Sequence, residues 1–527
     1  MPITLKCSNF ADLKLVKSHI RYIIHCAVIM PKLNMPRSIL LLAEVIAFAI
    51  LAVVATSHFG MSDGACITAA YLVAYLVPCV ILSCARGSST TARVVLLALA
   101  VLMMVAAYSN LLVWTQPEEC TLVFPDLKAD ARNFYKWALY HNGYPVDSPS
   151  VIFPGFPLMI LALWKVLGVS VVWPQAMNMM FTMTSVVLTG MTTRRLLIGR
   201  VSTSHQKLFL WSLLLSCLLL FYLITGLSIL KEPSTYLAVS MAGFALSSMA
   251  TVDEERHWPW RDILLFVAAC VLMAFVRTTF LYFLALGVVI MTLPHWRRDW
   301  LVAVIMLVVL VASMLVGDHY AAYSFSRHAE IVDGGWNMQR FYVMTESQRF
   351  YHDLLNYYFL YSHGHRLMML PLTLSIQFVI PFPWLIFEEN TLATMIARCT
   401  YGWYIVGGIA VFYYFFMSWR RRVNIGAWAW WSAAIFIVIA YVMAGSMARY
   451  VLPFQPLFVP VATYVICRLS DSRWRRLFRR WAVCYVILLA MALLISFELQ
   501  TSTISSMLHI RPLEDVLRDV IVIAEPL

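Results

Sequence analysis

The sequence predicts an all-α polytopic membrane protein with about thirteen transmembrane helices, N-terminus inside, C-terminus outside, and outer-face juxtamembrane helices in its first large loop. Three observations carry this. The 527 residues are 61% hydrophobic and only 13% charged, with a mean hydropathy of +0.77. A soluble fold has too little interior to hide that much apolar surface. The apolar residues fall into runs of roughly 20, the length that crosses a bilayer core as a helix. The Lys and Arg residues sit in short loops between these runs, so the net charge of +12 reads as a topology signal and not as a nucleic-acid footprint. The eleven cysteines lie mostly inside apolar runs, among them Cys79, Cys217, Cys270 and Cys467, with no CxxC pair or metal-ligand spacing. Such cysteines are small apolar packing residues.

Residues 1–37 read as a basic cytoplasmic segment. Lys6, Lys14, Lys17, Arg21, Lys32 and Arg37 precede the first full span, and the stretch is too polar for a cleavable signal. Met30 and Met35 are alternative starts. The polytopic domain covers 38–497, with candidate spans at 38–57, 66–84, 94–114, 170–189, 208–229, 232–250, 262–276, 278–293, 301–317, 401–418, 426–443, 450–468 and 481–497. Arg86 and Arg93 place the second short loop inside, so the third span delivers 116–168 to the outer face. Arg194, Arg195, Arg200 and Lys207 return 190–207 to the inside. One crossing fits between, so 152–168 should lie along the outer surface, starting at Pro154-Gly155-Phe156-Pro157. Arg256, Arg261, Arg297 and Arg298 mark later inside loops, with Arg277 at an outside tip. Residues 318–400 form a second outer region. Within it 368–387 is long enough to span, but Pro371, Pro381 and Pro383 argue against a straight helix, and one crossing there would misplace Arg420, Arg421 and Arg422. It reads as re-entrant or surface-lying. Residues 498–527 form an outer tail, a short amphipathic helix on the surface. No internal repeat is visible, as a duplicated transporter would require.

The polar stretch 116–168 is where chemistry is expected. A long polar loop between apolar spans is uncommon without a function. It reads as a short helix from Asp130 to Tyr140, a turn at Asn142-Gly143-Tyr144-Pro145, and the amphipathic run after Pro154. The alternation of spans puts Asp126, Asp130, Lys231, Glu232, Arg277 and Arg449 on this same face. Carboxylates beside several cations suit an anionic, membrane-anchored substrate: the cations hold phosphate and a carboxylate takes a proton. Each residue also has an ordinary role. Asp130 can cap its helix. Glu232 suits a helix start, with Pro233 in the first turn. Lys231 can snorkel, and Tyr450 can be an interfacial aromatic. Arg277, between FV and TTF in a long apolar stretch, needs a partner. His363 and His365 invite a metal reading, but no acid stands at a useful spacing.

Taken together, several stretches resemble the GT-C superfamily of integral-membrane glycosyltransferases, which includes the dolichyl-phosphate-mannose protein mannosyltransferases and the bacterial aminoarabinose transferases. The first outer loop carries Asp130, Tyr135, Ala138, Gly143, Pro154-Gly155-Phe156-Pro157 and Gly168 in the family's order. LSILKEPSTYLAVS resembles its outer-face hairpin with a Glu, and Arg277 matches an Arg after the next helix. IPFPW and ARYVLPFQPLFVPVATYVI resemble later family segments, and the likeness covers most of 94–468. Two extra spans precede the first outer loop, and no adjacent Asp-Asp or Asp-Glu pair stands in it. The resemblance implies a polyprenyl-phosphate-linked sugar donor, inversion at the anomeric carbon, a lipid, glycan or protein acceptor, and a bacterial inner membrane with the site facing the periplasm. It implies Asp130 as general base, with Asp126 four residues before it the other candidate. Tyr135, Lys231, Glu232, Arg277, Arg449 and Tyr450 become substrate-binding candidates. Some members use a divalent cation and others do not, and this sequence does not decide between them. Two other classes compete: an O-antigen-type polymerase or ligase, and a lipid-linked glycan transporter or flippase, which would place its charges near mid-membrane.

Overall fold

A computed structural model describes residues 36–85, 89–127, 129–147, 154–219, 222–223, 226–249, 260–293, 296–320, 403–420, 425–443, 452–469 and most of 475–490. Among the described residues every regular element is helical. The helices are α1 (Arg37–Cys84), α2 (Thr90–Trp114), α3 (Ala129–His141), α4 (Gly155–Leu167), α5 (Val172–Leu197), α6 (His205–Cys217), α7 (Glu232–Leu246), α8 (Trp260–Arg277), α9 (Leu281–Thr292), α10 (Trp296–Tyr320), α11 (Ile409–Arg420), α12 (Gly426–Met443) and α13 (Val459–Arg468). Short 3-10 turns cover Thr278–Phe280 and Leu452–Phe458, and a π turn covers Tyr404–Gly408 ahead of α11.

By length and composition, α1 and α2 are long and apolar enough to cross a membrane. Helices α4 and α5, bent by 119° to one another, make a third candidate if taken as one broken span. Helix α1 is itself two arms. The hydroxyl of Tyr75 donates to Glu44 at 2.6 Å, although the two residues are 31 apart in sequence. A straight helix would hold them about 46 Å apart. The chain folds back at Gly60, where φ is +81°, a conformation glycine adopts without steric cost. The expected spans 38–57 and 66–84 are therefore the two arms.

Helix α5 is the strut of the bundle. It is buried along nearly its whole length and packs against α1, α2, α4, α6, α7 and α13. Four of its hydroxyls are satisfied within the helix. Thr182, Ser185, Thr189 and Thr193 each donate to the carbonyl four residues earlier. Such small residues let backbones approach closely in an apolar interior.

The buried polar contacts fix helix directions. Asn178, near the start of α5, donates to the carbonyl of Leu230, just before α7. Arg195, near the end of α5, donates to the carbonyl of Phe244, near the end of α7, at 3.0 Å. Helices α5 and α7 are thus parallel. Arg195 also pairs at 2.7 Å with Asp262 in the first turn of α8, while Arg277 at the last turn of α8 faces Glu232 at the start of α7. Helix α8 is antiparallel to both, so the bundle has two chemically distinct ends.

Several expected boundaries shift. The apolar run 208–229 is not one helix: α6 ends at Cys217, and Gly226–Lys231 is non-helical. Side-chain amides from α5 meet its carbonyls where helical N–H groups otherwise would. The expected inside loop 190–207 is helical up to Leu197, so Arg194 and Arg195 belong to the end of α5. The segments 1–35 and 368–387 and the tail 498–527 lie outside the described residues.

Candidate functional site

The site is assembled at the end where α5 and α7 begin and α8 finishes. Helix α3 carries Asp130 in its first turn, where a carboxylate meets the positive end of the helix dipole. It ends in a Schellman turn: Gly143 N–H bonds to the Tyr140 carbonyl and Tyr144 N–H to that of Leu139. This is the turn expected at Asn142-Gly143. The inner face of α3 packs on α4, with the Phe134 ring edge-on to Phe156 at 5.6 Å and Tyr135 edge-on to Trp164 at 4.8 Å.

Helix α4 in turn docks on α8. A Cβ at Gly155 would collide with the carbonyl oxygen of Phe275, two residues before Arg277. Only glycine permits this approach, which explains the small residue in Pro154-Gly155-Phe156-Pro157. One face of α4, including Phe156, Ile160 and Trp164, is buried, while Leu158, Lys165 and Val166 are exposed. Helix α4 is thus two-sided and bent by 119° from α5.

Helix α8 breaks at Arg277, and the Thr278–Phe280 turn leads into α9. The Arg277 guanidinium stands 4.5 Å over the Phe280 ring and 3.7 Å from a Glu232 carboxylate oxygen. Both residues are buried, 5% and 1% exposed. Neither Glu232 oxygen accepts a hydrogen bond among the described residues. Phe280 packs at 5.1 Å on Phe454, which brings the Leu452–Phe458 turn to the same place. Glu232 opens α7 with Pro233 in its first turn, as expected.

Lys231, the residue before α7, is partly buried. Its Nζ lies 5.8 Å from the Phe134 ring centre, within cation–π range. Phe134 is four residues on from Asp130, on the same face of α3. The Phe134–Lys231 and Glu232–Arg277 contacts meet at one end of the bundle, and Asp130 stands one turn before Phe134 on α3. Of the sequence candidates, Asp130, Lys231, Glu232 and Arg277 are brought there. Arg449 and Tyr450 lie outside the described residues, as do His363 and His365.

Two candidates sit differently from expectation. Helix α3 starts at Ala129, so Asp126 is not one helical turn before Asp130. It lies in the exposed loop before α3, with its backbone N–H on the Trp114 carbonyl. Tyr135 is buried, and its hydroxyl donates to the Val123 carbonyl at 3.0 Å, tying the loop to α3. Burial raises its pKa well above the usual phenol value, so it stays a neutral donor. The hydroxyl is committed to the fold.

The other end of the bundle is also charged, so the ionic residues are not confined to one face. Glu44 accepts two hydrogen bonds from Arg93, both at 2.7 Å, and Arg195 meets Asp262 at 2.7 Å. Sequence reasoning passed over Glu44, although a carboxylate inside an apolar run is a signal in itself. These two pairs are closed by short hydrogen bonds, and the Glu232–Arg277 pair is not. Along α8, Asp262 and Arg277 are about 22 Å apart in rise.

Sequence reasoning also passed over Gln175 and Asn178, two amides in the apolar run opening α5. Gln175 Nε2 donates to the carbonyls of Ala107 and Leu227, each at 3.1 Å. Asn178 Nδ2 donates to those of Ser228 and Leu230 at 2.5 and 2.9 Å. Their signal was an i, i+3 pair of carboxamides where lipid-facing residues would be apolar. Among the described residues, no group of three or more His, Cys, Asp or Glu is gathered as a metal site would need. Comparisons with protein-family models, with curated proteins and with solved structures each returned no match.

Proposed function

We propose that this chain is an integral-membrane glycosyltransferase of the GT-C type, moving a sugar from a polyprenyl-phosphate donor to an acceptor at the outer face of a bacterial inner membrane. The observation that carries the reading is the buried Glu232–Arg277 pair, held at 3.7 Å with no hydrogen bond to either carboxylate oxygen among the described residues. A buried carboxylate left in that state is costly in the free protein unless a ligand completes its hydrogen bonding. With Lys231 beside it, the cluster offers two cations for a phosphate and a carboxylate for sugar hydroxyls.

In this reading the chain crosses the membrane about thirteen times, with α3 and α4 on the outer surface. The Arg195–Asp262 pair then lies at the inner surface. A hydrocarbon core of about 30 Å leaves Glu232 and Arg277 sunk roughly 8 Å below the outer surface, given their rise along α8. A lipid-anchored phosphate reaches that depth from the side, and Asp130 on the surface helix meets the water-borne acceptor. Asp130 takes the proton from the acceptor hydroxyl or amine as that atom attacks the anomeric carbon and the polyprenyl phosphate leaves. Inversion follows from a single displacement.

The test is reconstitution of the purified protein in nanodiscs with radiolabelled polyprenyl-phosphate sugars and a membrane-lipid extract as acceptor source. Label appearing in a new product, dependent on the protein, supports the reading. Label crossing intact liposomes without transfer would identify a flippase and discard it.

A further inference from the structure

We propose that Gln175 and Asn178 are positioning residues that hold the segment before α7 unwound, so that Lys231 and Glu232 are presented to Arg277. What the cluster then binds rests on the reading above; the positioning itself does not.

Residues 226–230 run through the protein interior outside any helix, with Gly226, Leu227 and Ile229 buried. Each carbonyl there needs a donor, because neither lipid nor packed side chains supply one. Helix α5 supplies donors to three of the five, at Leu227, Ser228 and Leu230. A carboxamide nitrogen is the one neutral side-chain group that offers two N–H donors from a single atom. Asn178 uses both, on the carbonyls of Ser228 and Leu230. Gln175, one turn earlier, holds Leu227 with one donor and ties itself to α2 with the other, at Ala107. Its oxygen accepts from the Tyr71 hydroxyl at 2.6 Å, which fixes the orientation of the amide. Turning either amide over would set oxygen against two carbonyl oxygens, so the donor assignment is forced. On the next turn of α5, Gly226 lies against Thr182 so closely that a Cβ would meet the Thr182 hydroxyl. Gln175, Asn178 and Thr182 thus form a track along one face of α5. The segment follows it, and the next two residues are Lys231 and Glu232. A continuous helix through 218–246 would rotate and shift both side chains away from the end of α8.

The test uses near-isosteric changes that remove donors and leave volume unchanged. Asn178→Asp and Gln175→Glu each lose both N–H donors, and Gln175→Glu keeps the acceptor for Tyr71. Tyr71→Phe keeps all four donors and serves as the control. Hydrogen exchange of the full-length protein in nanodiscs is followed by mass spectrometry in peptides covering 226–232. Binding of undecaprenyl phosphate is followed alongside. Exchange in that segment should accelerate about tenfold in both donor-loss variants, with peptides from α8 and α10 unchanged, and not at all in Tyr71→Phe. Affinity for undecaprenyl phosphate should fall about tenfold in the same two variants. Asn178→Gln, which retains a carboxamide, should recover part of both. Unchanged exchange in the donor-loss variants overturns the proposal, as does acceleration spread evenly over the bundle. Exchange that responds as expected, with no undecaprenyl phosphate binding even by the unsubstituted protein, keeps the positioning role and removes the glycosyltransferase reading.

Discussion

Glu232 and Arg277 face each other at 3.7 Å in the interior, and among the described residues neither oxygen of the carboxylate receives a hydrogen bond. Removing one partner leaves the other as a buried charge, so Arg277→Met should cost about 3–5 kcal/mol. Replacing both, as in Glu232→Gln with Arg277→Met, should recover most of that loss, because the desolvated ions are gone. Thermal unfolding in detergent reads the stability, and the nanodisc assay reads the transfer. A double variant that regains stability but transfers no sugar assigns the pair to the substrate. Recovery of both would make it a packing feature.

Asp130 and Asp126 are separated by the start of α3, so their substitutions should diverge. Asp130→Asn should lower sugar transfer by about 10²–10⁴-fold, the range lost with a general base, while the unfolding midpoint stays within a degree or two. Asp126→Asn, in an exposed loop, should transfer at close to the unsubstituted rate. Equal loss in both would mean that the acceptor is held by the loop as a whole.

How much of this was legible in the sequence depends on the range of the interaction. Apolar run length and the Lys/Arg pattern are local signals, and they located both arms of α1, α2 and α12, the last to the residue. The Asp130 helix, its glycine turn and the Glu232-Pro233 start were equally visible, because capping and dipole preferences act within one turn. The break in 208–229 was not. Its sequence is as apolar as any helix, and the break is held by Gln175 and Asn178 some fifty residues away. The fold-back of α1 was legible as the gap between the expected spans 38–57 and 66–84, whereas the hydrogen bond from Tyr75 to Glu44 across it is a tertiary fact. Of the candidate site, the residues were legible and their grouping was not. Grouping comes from Gly155 admitting the backbone of α8, and from Phe134 carrying the contact between α3 and Lys231.

Gly155 tests that grouping. Alanine there must push α4 away from the Phe275 carbonyl, an overpacking that costs about 1–3 kcal/mol. The displacement is passed to the end of α8 and so to Arg277. The Michaelis constant for the polyprenyl donor should therefore rise more than thermal stability falls, when compared with Gly168→Ala at the other end of α4. Gly168 has open space around its Cβ position and a φ of +83°, so its substitution strains the turn without moving α4 into α8. Parallel kinetic and unfolding measurements on the two variants separate these effects. Equal ratios would deny that α4 sets the position of Arg277.

The Arg93–Glu44 pair provides the opposite expectation. It joins the start of α2 to the first arm of α1, at the end of the bundle away from Asp130 and Arg277. Its geometry is complete: two short hydrogen bonds from the guanidinium and a third from Tyr75. The Arg93 side chain is 44% exposed and that of Glu44 only 8%, so water screens one partner and not the other. Arg93→Met should therefore cost less than a fully buried pair, about 1–2 kcal/mol, with Tyr75 still holding the carboxylate. Tyr75→Phe combined with Arg93→Met strips Glu44 of all three donors and should cost clearly more than the sum of the single changes, because only then is the carboxylate left unsatisfied. Sugar transfer per folded molecule should stay unchanged in both. A rise in the Michaelis constant for the donor in the Arg93 variant would show instead that the two ends of the bundle are coupled through α2, whose Ala107 carbonyl is held by Gln175.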